Sequence, residues 1–214
     1  MAASNNRLLE LRDLIQEKSI RHGDFILASG VRSSYYCDTK ASMLSPRGAH
    51  LAGELIFDHL DGHEVEAVGG LAMGAVYIAT AVALVSDLRG RPIYGFTVRD
   101  REKTHGLKKA VEESYSPDGR PLLAEGRRVA ILDDVVTSGS SILKAVEVVR
   151  DEGCDIVAVI AIVDRNQGGG ERLIELGLPY FSLYDADKHG KLRISHGIEW
   201  SSRPPGVAAA RAFG

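Results

Sequence analysis

Apolar residues near the start of the chain recur at helical spacing. Leu8, Leu11, Leu14 and Ile15 are separated by charged and polar residues, which predicts an amphipathic helix over residues 6–19. The period then changes. Residues 23–39 carry two strand-like runs, 25–27 and 35–37, interrupted at Ser29 and Gly30, and predict a hairpin or hood. Pro46 opens the next helix, where its missing N–H costs nothing, and Leu51, Leu55, Ile56 and Leu60 give that helix a buried stripe.

From Val65 onward, strand, glycine-containing turn and helix alternate. Strands are predicted at 65–69, 92–97, 127–133, 156–163 and 180–184, and helices at 74–86, 139–151 and 169–176. In the 139–151 helix, Ile142, Ala145, Val146 and Val149 share one face, while Lys144, Glu147 and Arg150 fall outside it. Strands that are apolar along their length and alternate with helices predict an α/β fold, a central mostly parallel sheet with helices on both faces. Such sheets take ligands at the carboxyl ends of their strands, which directs attention to the turns that follow them. The chain has no internal repeat, low-complexity tract or long linker. A single domain over 1–214 is therefore expected, with an N-terminal helix and hood at 1–45 and an α/β core at 46–190. Residues 191–214, with Trp200, Pro204 and Pro205, are left unassigned.

Composition narrows the choice of partners. The 214 residues include 26 Lys and Arg against 29 Asp and Glu, a formal net charge of -3, so the chain lacks the global cationic field that nucleic acid usually requires. No apolar run approaches the ~20 residues needed to cross a bilayer, and the polar start lacks the apolar core of a secretory signal. A cytoplasmic protein with no membrane contact is expected, with Cys37 and Cys154 as reduced thiols. No HExxH or comparable metal cluster occurs.

The chemistry concentrates in residues 128–141, RVAILDDVVTSGSS. An apolar strand ends at Asp133 and Asp134, and a loop of small residues, Val135, Val136, Thr137, Ser138, Gly139, Ser140 and Ser141, opens a helix. Small residues let backbone N–H groups converge on an anion, and the helix adds the positive end of its dipole. Carboxylates at the mouth can accept hydrogen bonds from sugar hydroxyls or hold a divalent ion through water. A lone acidic pair or a lone Thr-Ser-Gly would be an ordinary solvated turn; their fusion at a strand-to-helix turn points to a phosphorylated sugar. No GxxxxGK[ST] is present, and residues 69–74 lack the spacing of GxGxxG, which argues against ATP and NAD.

Four further segments would each be unremarkable alone. Residues 95–106 (GFTVRDREKTHG) form a charged, glycine-ended loop. Residues 68–75 (VGGLAMGA) read as a glycine turn able to line a pocket with backbone. Residues 164–169 follow a strand and carry Arg165, whose guanidinium fork suits a planar carboxylate. Residues 29–37 (SGVRSSYYC) hold two adjacent aromatics, Tyr35 and Tyr36.

The stretch ILDDVVTSGSS resembles the phosphoribosyl diphosphate signature of the type I phosphoribosyltransferases, in which the acidic pair meets the ribose hydroxyls and the TSG-type loop binds the 5-phosphate. The other segments resemble, in order and spacing, the orotate phosphoribosyltransferases within that group. The resemblance implies the type I phosphoribosyltransferase fold and a catalytic set of Arg99, Lys103, His105, Asp133 and Asp134. It implies phosphoribosyl diphosphate binding by these residues, by Ala72 and Met73, and by 135–141. Orotate contacts are implied for Thr137, Arg165, Tyr35 and Tyr36. The RxxxKxHG loop matches at Arg99, Lys103, His105 and Gly106, but Asp100 stands where many relatives carry a basic residue, and Ala28 where some carry a lysine. Mg2+ is implied as cofactor, held mainly by substrate and water, and the partner is a second copy, in a homodimer whose mobile loops cross between subunits. Two alternatives stay open: transfer to another base, which gains nothing from Arg165, and a non-catalytic sensor, which gains nothing from Lys103.

Overall fold

The computed structural model describes residues 2–26, 32–100, 111–113, 116 and 119–195. Helix α1 (Ala2–Lys18) starts earlier than its apolar stripe requires, and Leu8, Leu11 and Ile15 are buried as the spacing predicts. Strands β1 (Ile20–Ile26) and β2 (Arg32–Cys37) pair antiparallel as the expected hairpin, with an irregularity between His22 and Phe25. Ala28, Ser29 and Gly30 lie outside the described residues. A short helix α2 (Lys40–Met43) that periodicity could not signal comes next, followed by α3 (Pro46–His59). Ser45 caps α3 by accepting from the Gly48 amide at 3.1 Å, and Pro46 occupies the first turn.

The remaining elements are β3 (Ala67–Leu71), α4 (Val76–Leu88), β4 (Tyr94–Val98), β5 (Val111–Glu113), β6 (Arg128–Val136), α5 (Ser140–Asp151), β7 (Asp155–Asp164), α6 (Gly169–Glu175), β8 (Tyr180–Ala186) and β9 (Leu192–Ile194). Seven of these strands form one sheet in the order β5-β4-β3-β6-β7-β8-β9. Its five central strands are parallel, and the two edges are antiparallel. Three-residue edge strands carry too little pattern to be read from sequence, and β9 falls inside the stretch left unassigned above.

Alternation along β6 explains why both faces need helices. Val129 and Ile131 join Ile142, Ala145, Val146 and Val149 of α5 on one side. Ala130 and Leu132 join α1, α3 and α4 on the other. One boundary differs from expectation in a way that matters for the site. β6 runs through the acidic pair to Val136, because Val135 and Val136 pair with Val163 and Asp164 of β7. Val135 and Val136 therefore belong to a strand and not to a loop, and the Val136 side chain is buried.

Candidate active site

The turns after β3, β6 and β7 meet at the carboxyl edge of the sheet. Consecutive residues of a strand point to opposite faces, so Asp133 and Asp134 address different neighbours. Asp133 turns toward α5, where its Oδ2 accepts from Ser141 Oγ at 2.7 Å and its Oδ1 from the Asp134 amide at 2.9 Å. Asp134 turns toward α4 and the base of the hood. Its Oδ2 accepts from Thr39 Oγ1 at 2.7 Å and from Tyr77 Oη at 2.5 Å, and its Oδ1 from the Val135 amide at 2.9 Å.

The two Oδ1 atoms nevertheless converge. A Cβ built on Gly74 would lie 2.6 Å from Asp134 Oδ1 and 2.7 Å from Asp133 Oδ1, so only glycine lets the β3–α4 turn close over the pair. That turn contains Ala72 and Met73, joined by a cis peptide bond; the Ala72 amide donates to the Val98 carbonyl, and Met73 is exposed. Burial, and then the charge of Asp134, push the Asp133 carboxyl up to about 7. Near neutral pH the pair thus holds a negative charge it can scarcely sustain, which favours hydroxyl donors or a cation at its mouth.

Behind the pair, Thr137, Ser138 and Gly139 turn into α5. Gly139 sits at the N-cap with φ 74°, a left-handed conformation natural to glycine, and Ser138 and Ser140 are exposed with their hydroxyls 2.9 Å apart. The amides of Ser138 and Gly139 have no acceptor among the described residues, so they and the start of α5 form a cradle for an anion.

Arg165 follows β7 and is buried, with its amide donating to the Val136 carbonyl at 3.0 Å. Its Nε donates to Tyr35 Oη at 3.1 Å and its Nη2 to Ser33 Oγ at 3.0 Å, and its guanidinium lies 4.4 Å from the Tyr35 ring centroid. Nη1 takes no partner among the described residues. Arg165, Arg32, Ser33, Tyr35, Gln167 and Lys188 help line a cavity of about 400 Å3, large enough for a small planar acid.

The paired tyrosines have different surroundings, and only Tyr35 lines the cavity. Tyr35 is buried and its ring is covered by Arg165, so it holds the arginine and does not offer a stacking face. Tyr36 points to the opposite side of β2, half-exposed beside Phe25, and does not join the cavity. Thr137 follows β6 at the start of the turn into α5 and is half-buried. Sequence reasoning missed Thr39, Tyr77 and Ser33. Thr39 and Ser33 carry no local signal, while Tyr77 could have been noticed one turn past the glycine-rich segment.

At the far side of the edge, Arg99 pairs with Glu112 of β5, and Asp100 pairs with Lys144 of α5 at 2.8 Å. Asp100 therefore ties the stem of the charged loop to the helix that opens at the cradle. Lys103, His105 and Gly106 lie outside the described residues, as do Trp200, Pro204 and Pro205. Among the described residues there is no group of three or more His, Cys, Asp or Glu able to cage a metal ion, and no helix long and apolar enough to cross a membrane.

A parallel sheet with an acidic pair, an anion cradle and a buried guanidinium along one edge defines a class of protein built to hold anionic, hydroxyl-bearing ligands there. Comparison with known proteins agrees: the phosphoribosyl transferase domain family matches residues 41–175. The chain belongs to the orotate phosphoribosyltransferase family. It is 43% identical over 178 residues to orotate phosphoribosyltransferase of Rhodopseudomonas palustris, covering 83% of this chain and 93% of the relative. The enzyme of that name from Aquifex aeolicus is 40% identical over 178 residues, 82% of this chain and 93% of its own. Orotate phosphoribosyltransferase of Mycobacterium tuberculosis, solved with Fe(III) dicitrate, superposes with a TM-score of 0.69 at 35% identity over 82% of this chain and 94% of that one. The same enzyme solved with 5-phospho-alpha-D-ribosyl 1-diphosphate gives 0.66 at 29% identity, over 86% and 92% of the two chains.

Proposed function

We propose that this chain transfers the ribose 5-phosphate group of phosphoribosyl diphosphate to orotate, giving orotidine 5'-monophosphate and diphosphate on the route to UMP. The observation that carries the reading is the convergence at one sheet edge of the Asp133 and Asp134 carboxylates, the 137–141 cradle and the buried Arg165. In this reading the cradle holds the 5-phosphate through backbone amides and serine hydroxyls, and the acidic pair accepts from the ribose hydroxyls. The β3–α4 turn backs the diphosphate. Arg165 meets the carboxylate of orotate, oriented by Tyr35 and Ser33.

Positioning and electrostatics supply most of the acceleration, because the orotate anion can attack through N1 without a strong general base. Arg99, Lys103 and His105 provide the cations that meet the charge developing on the departing diphosphate, with Lys103 the principal one. Two carboxylates that share one small space at Gly74 suit Mg2+ held through substrate and water and not by a protein cage. When bound, that ion neutralises diphosphate oxygens. A cytoplasmic homodimer in which each loop reaches the neighbouring site completes the proposal.

The test is to incubate the pure protein with phosphoribosyl diphosphate, Mg2+ and a panel of bases. Orotidine 5'-monophosphate is the expected product; transfer to a purine, or to nothing, rejects the reading. Lys103→Ala is expected to lower kcat by ~10²-fold with little change in phosphoribosyl diphosphate affinity, since it acts in the transition state. Unaltered turnover removes Lys103 from the mechanism.

A further inference from the structure

We propose that Tyr77 and Thr39 are positioning residues for the sugar site, clamping one oxygen of Asp134 so that its other oxygen stays aimed at the ribose; the inference rests on the function proposed above. Unlike Asp133, Asp134 makes no hydrogen bond to α5 among the described residues. What fixes it comes from elsewhere in the chain: Thr39 is 95 residues away in sequence and Tyr77 is 57. Both hydroxyls donate to the same Oδ2, at 2.7 and 2.5 Å, which leaves Oδ1 with the Val135 amide and the space opposite Gly74.

Each donor is itself held. Thr39 is fully buried at the start of α2, where its carbonyl accepts from the Ser42 and Met43 amides. It occupies the N-cap position of α2 but makes no side-chain cap bond there, so its hydroxyl is spent on Asp134 and not on its own helix. Tyr77 stands in the first turn of α4, directly after the turn that covers the acidic pair. Burial, and then the Asp134 charge, push its hydroxyl well above the usual phenol range, so it remains a donor. Thr39 Oγ1 and Tyr77 Oη lie 3.5 Å apart, which closes a triangle of hood base, diphosphate turn and acidic strand around one carboxylate oxygen. Two short hydroxyl donors to one carboxylate oxygen fix a rotamer that a single bond would leave free to swing.

The experiment compares Tyr77→Phe, Thr39→Val and the double variant with wild type in steady-state kinetics, in calorimetric phosphoribosyl diphosphate binding and in thermal unfolding. Tyr77→Phe removes the hydroxyl and Thr39→Val replaces it with a methyl group of similar shape. Loss of hydrogen bonds to a charged group corresponds to roughly a tenfold or larger effect. The double variant is expected to raise the KM and Kd for phosphoribosyl diphosphate ~10-fold, with the orotate KM within ~2-fold of wild type. Thr39→Ser in the Tyr77→Phe background, which restores one hydroxyl, should recover most of the loss. Wild-type kinetics in the double variant overturns the inference, as does a parallel rise in both KM values or a failure of serine to rescue a folded protein. If Thr39→Val does not fold, Tyr77→Phe alone decides, with ~3-fold weaker sugar binding expected and no change overturning the clamp. An inactive wild-type protein defeats the functional reading instead, so the two failures are separable.

Discussion

The proposed phosphate cradle and the proposed base pocket stand at the same sheet edge but are assembled differently. The cradle and the acidic pair occupy nine consecutive residues, 133–141, and the cradle works through backbone amides and small hydroxyls. The base pocket joins Arg165 to Tyr35 and Ser33, 130 and 132 residues away in sequence, and works through side chains that hold each other. A strand-to-helix turn is nearly sufficient to make the first, the cradle itself, although Asp134 beside it is held by Thr39 and Tyr77. The second exists only once the hood has folded against the sheet, so its geometry is the more sensitive to single hydroxyls.

The largest effect on substrate binding that sharpens this contrast is expected from Arg165→Leu. Removing a charged fork should raise the orotate KM ~100-fold while phosphoribosyl diphosphate binding measured by calorimetry stays the same. If sugar binding weakens equally, the two regions are not independent, and the Arg165 amide bond to Val136 would be the place where they join.

On turnover and stability, Asp133→Asn should nearly abolish turnover while raising the thermal midpoint of the fold at pH 8. The sign follows from the raised carboxyl: the folded chain keeps the proton up to about 7, whereas the unfolded chain releases it at the ordinary carboxylate pKa. Wild type therefore loses stability as pH rises between those values, and the asparagine variant does not. Thermal midpoints measured across pH 4–8 check this; an equal or lower midpoint at pH 8 contradicts it.

Tyr35→Phe is expected to raise the orotate KM ~5-fold by removing the acceptor of the Arg165 Nε bond. Tyr36→Phe should leave it unchanged. Reversed results would put the half-exposed tyrosine at the base and undo the pocket described above.

The smallest effect lies at the opposite end of the sheet, where the His59 ring packs on Phe181 with centroids 3.6 Å apart and His63 stacks beyond it. Burial, and then His63, push His59 down to about 4; burial, and then Arg128 and Arg91, push His63 down as well. The unfolded chain takes these protons near pH 6.5, so stability is lost as pH falls below that value toward 4. In wild type the Asp133 contribution runs the other way over the same window. The Asp133→Asn variant should therefore lose stability more steeply than wild type between pH 6.5 and 4.5. Matching slopes would show that Asp133 titrates in the fold as an ordinary carboxylate, and a variant whose stability does not fall over this window would show that the imidazoles titrate normally.

Much of this was legible before any coordinates. The 3.6-residue stripes of α1, α3 and α5 and the apolar runs of β6 and β7 emerge where expected, because burial on one or two faces imposes the period directly on the residues. The cradle is visible for a related reason: its chemistry is local, and a glycine in a left-handed turn between strand and helix marks itself. The edge strands β5 and β9 were not, since three residues hold too little pattern. The end of β6 was misjudged because carboxylates look like a strand terminus until the pairing of Val135 and Val136 with β7 is seen.

Sequence alone pointed to a doubly covered parallel sheet with a candidate cradle for a sugar phosphate after one of its strands. Tertiary structure decided which tyrosine supports Arg165, and that Thr39 and Tyr77 restrain Asp134. The reason is reach: periodicity and turn chemistry act over a few residues, while the partners of a buried guanidinium or carboxylate are chosen by whichever hydroxyls the finished fold brings within 3 Å.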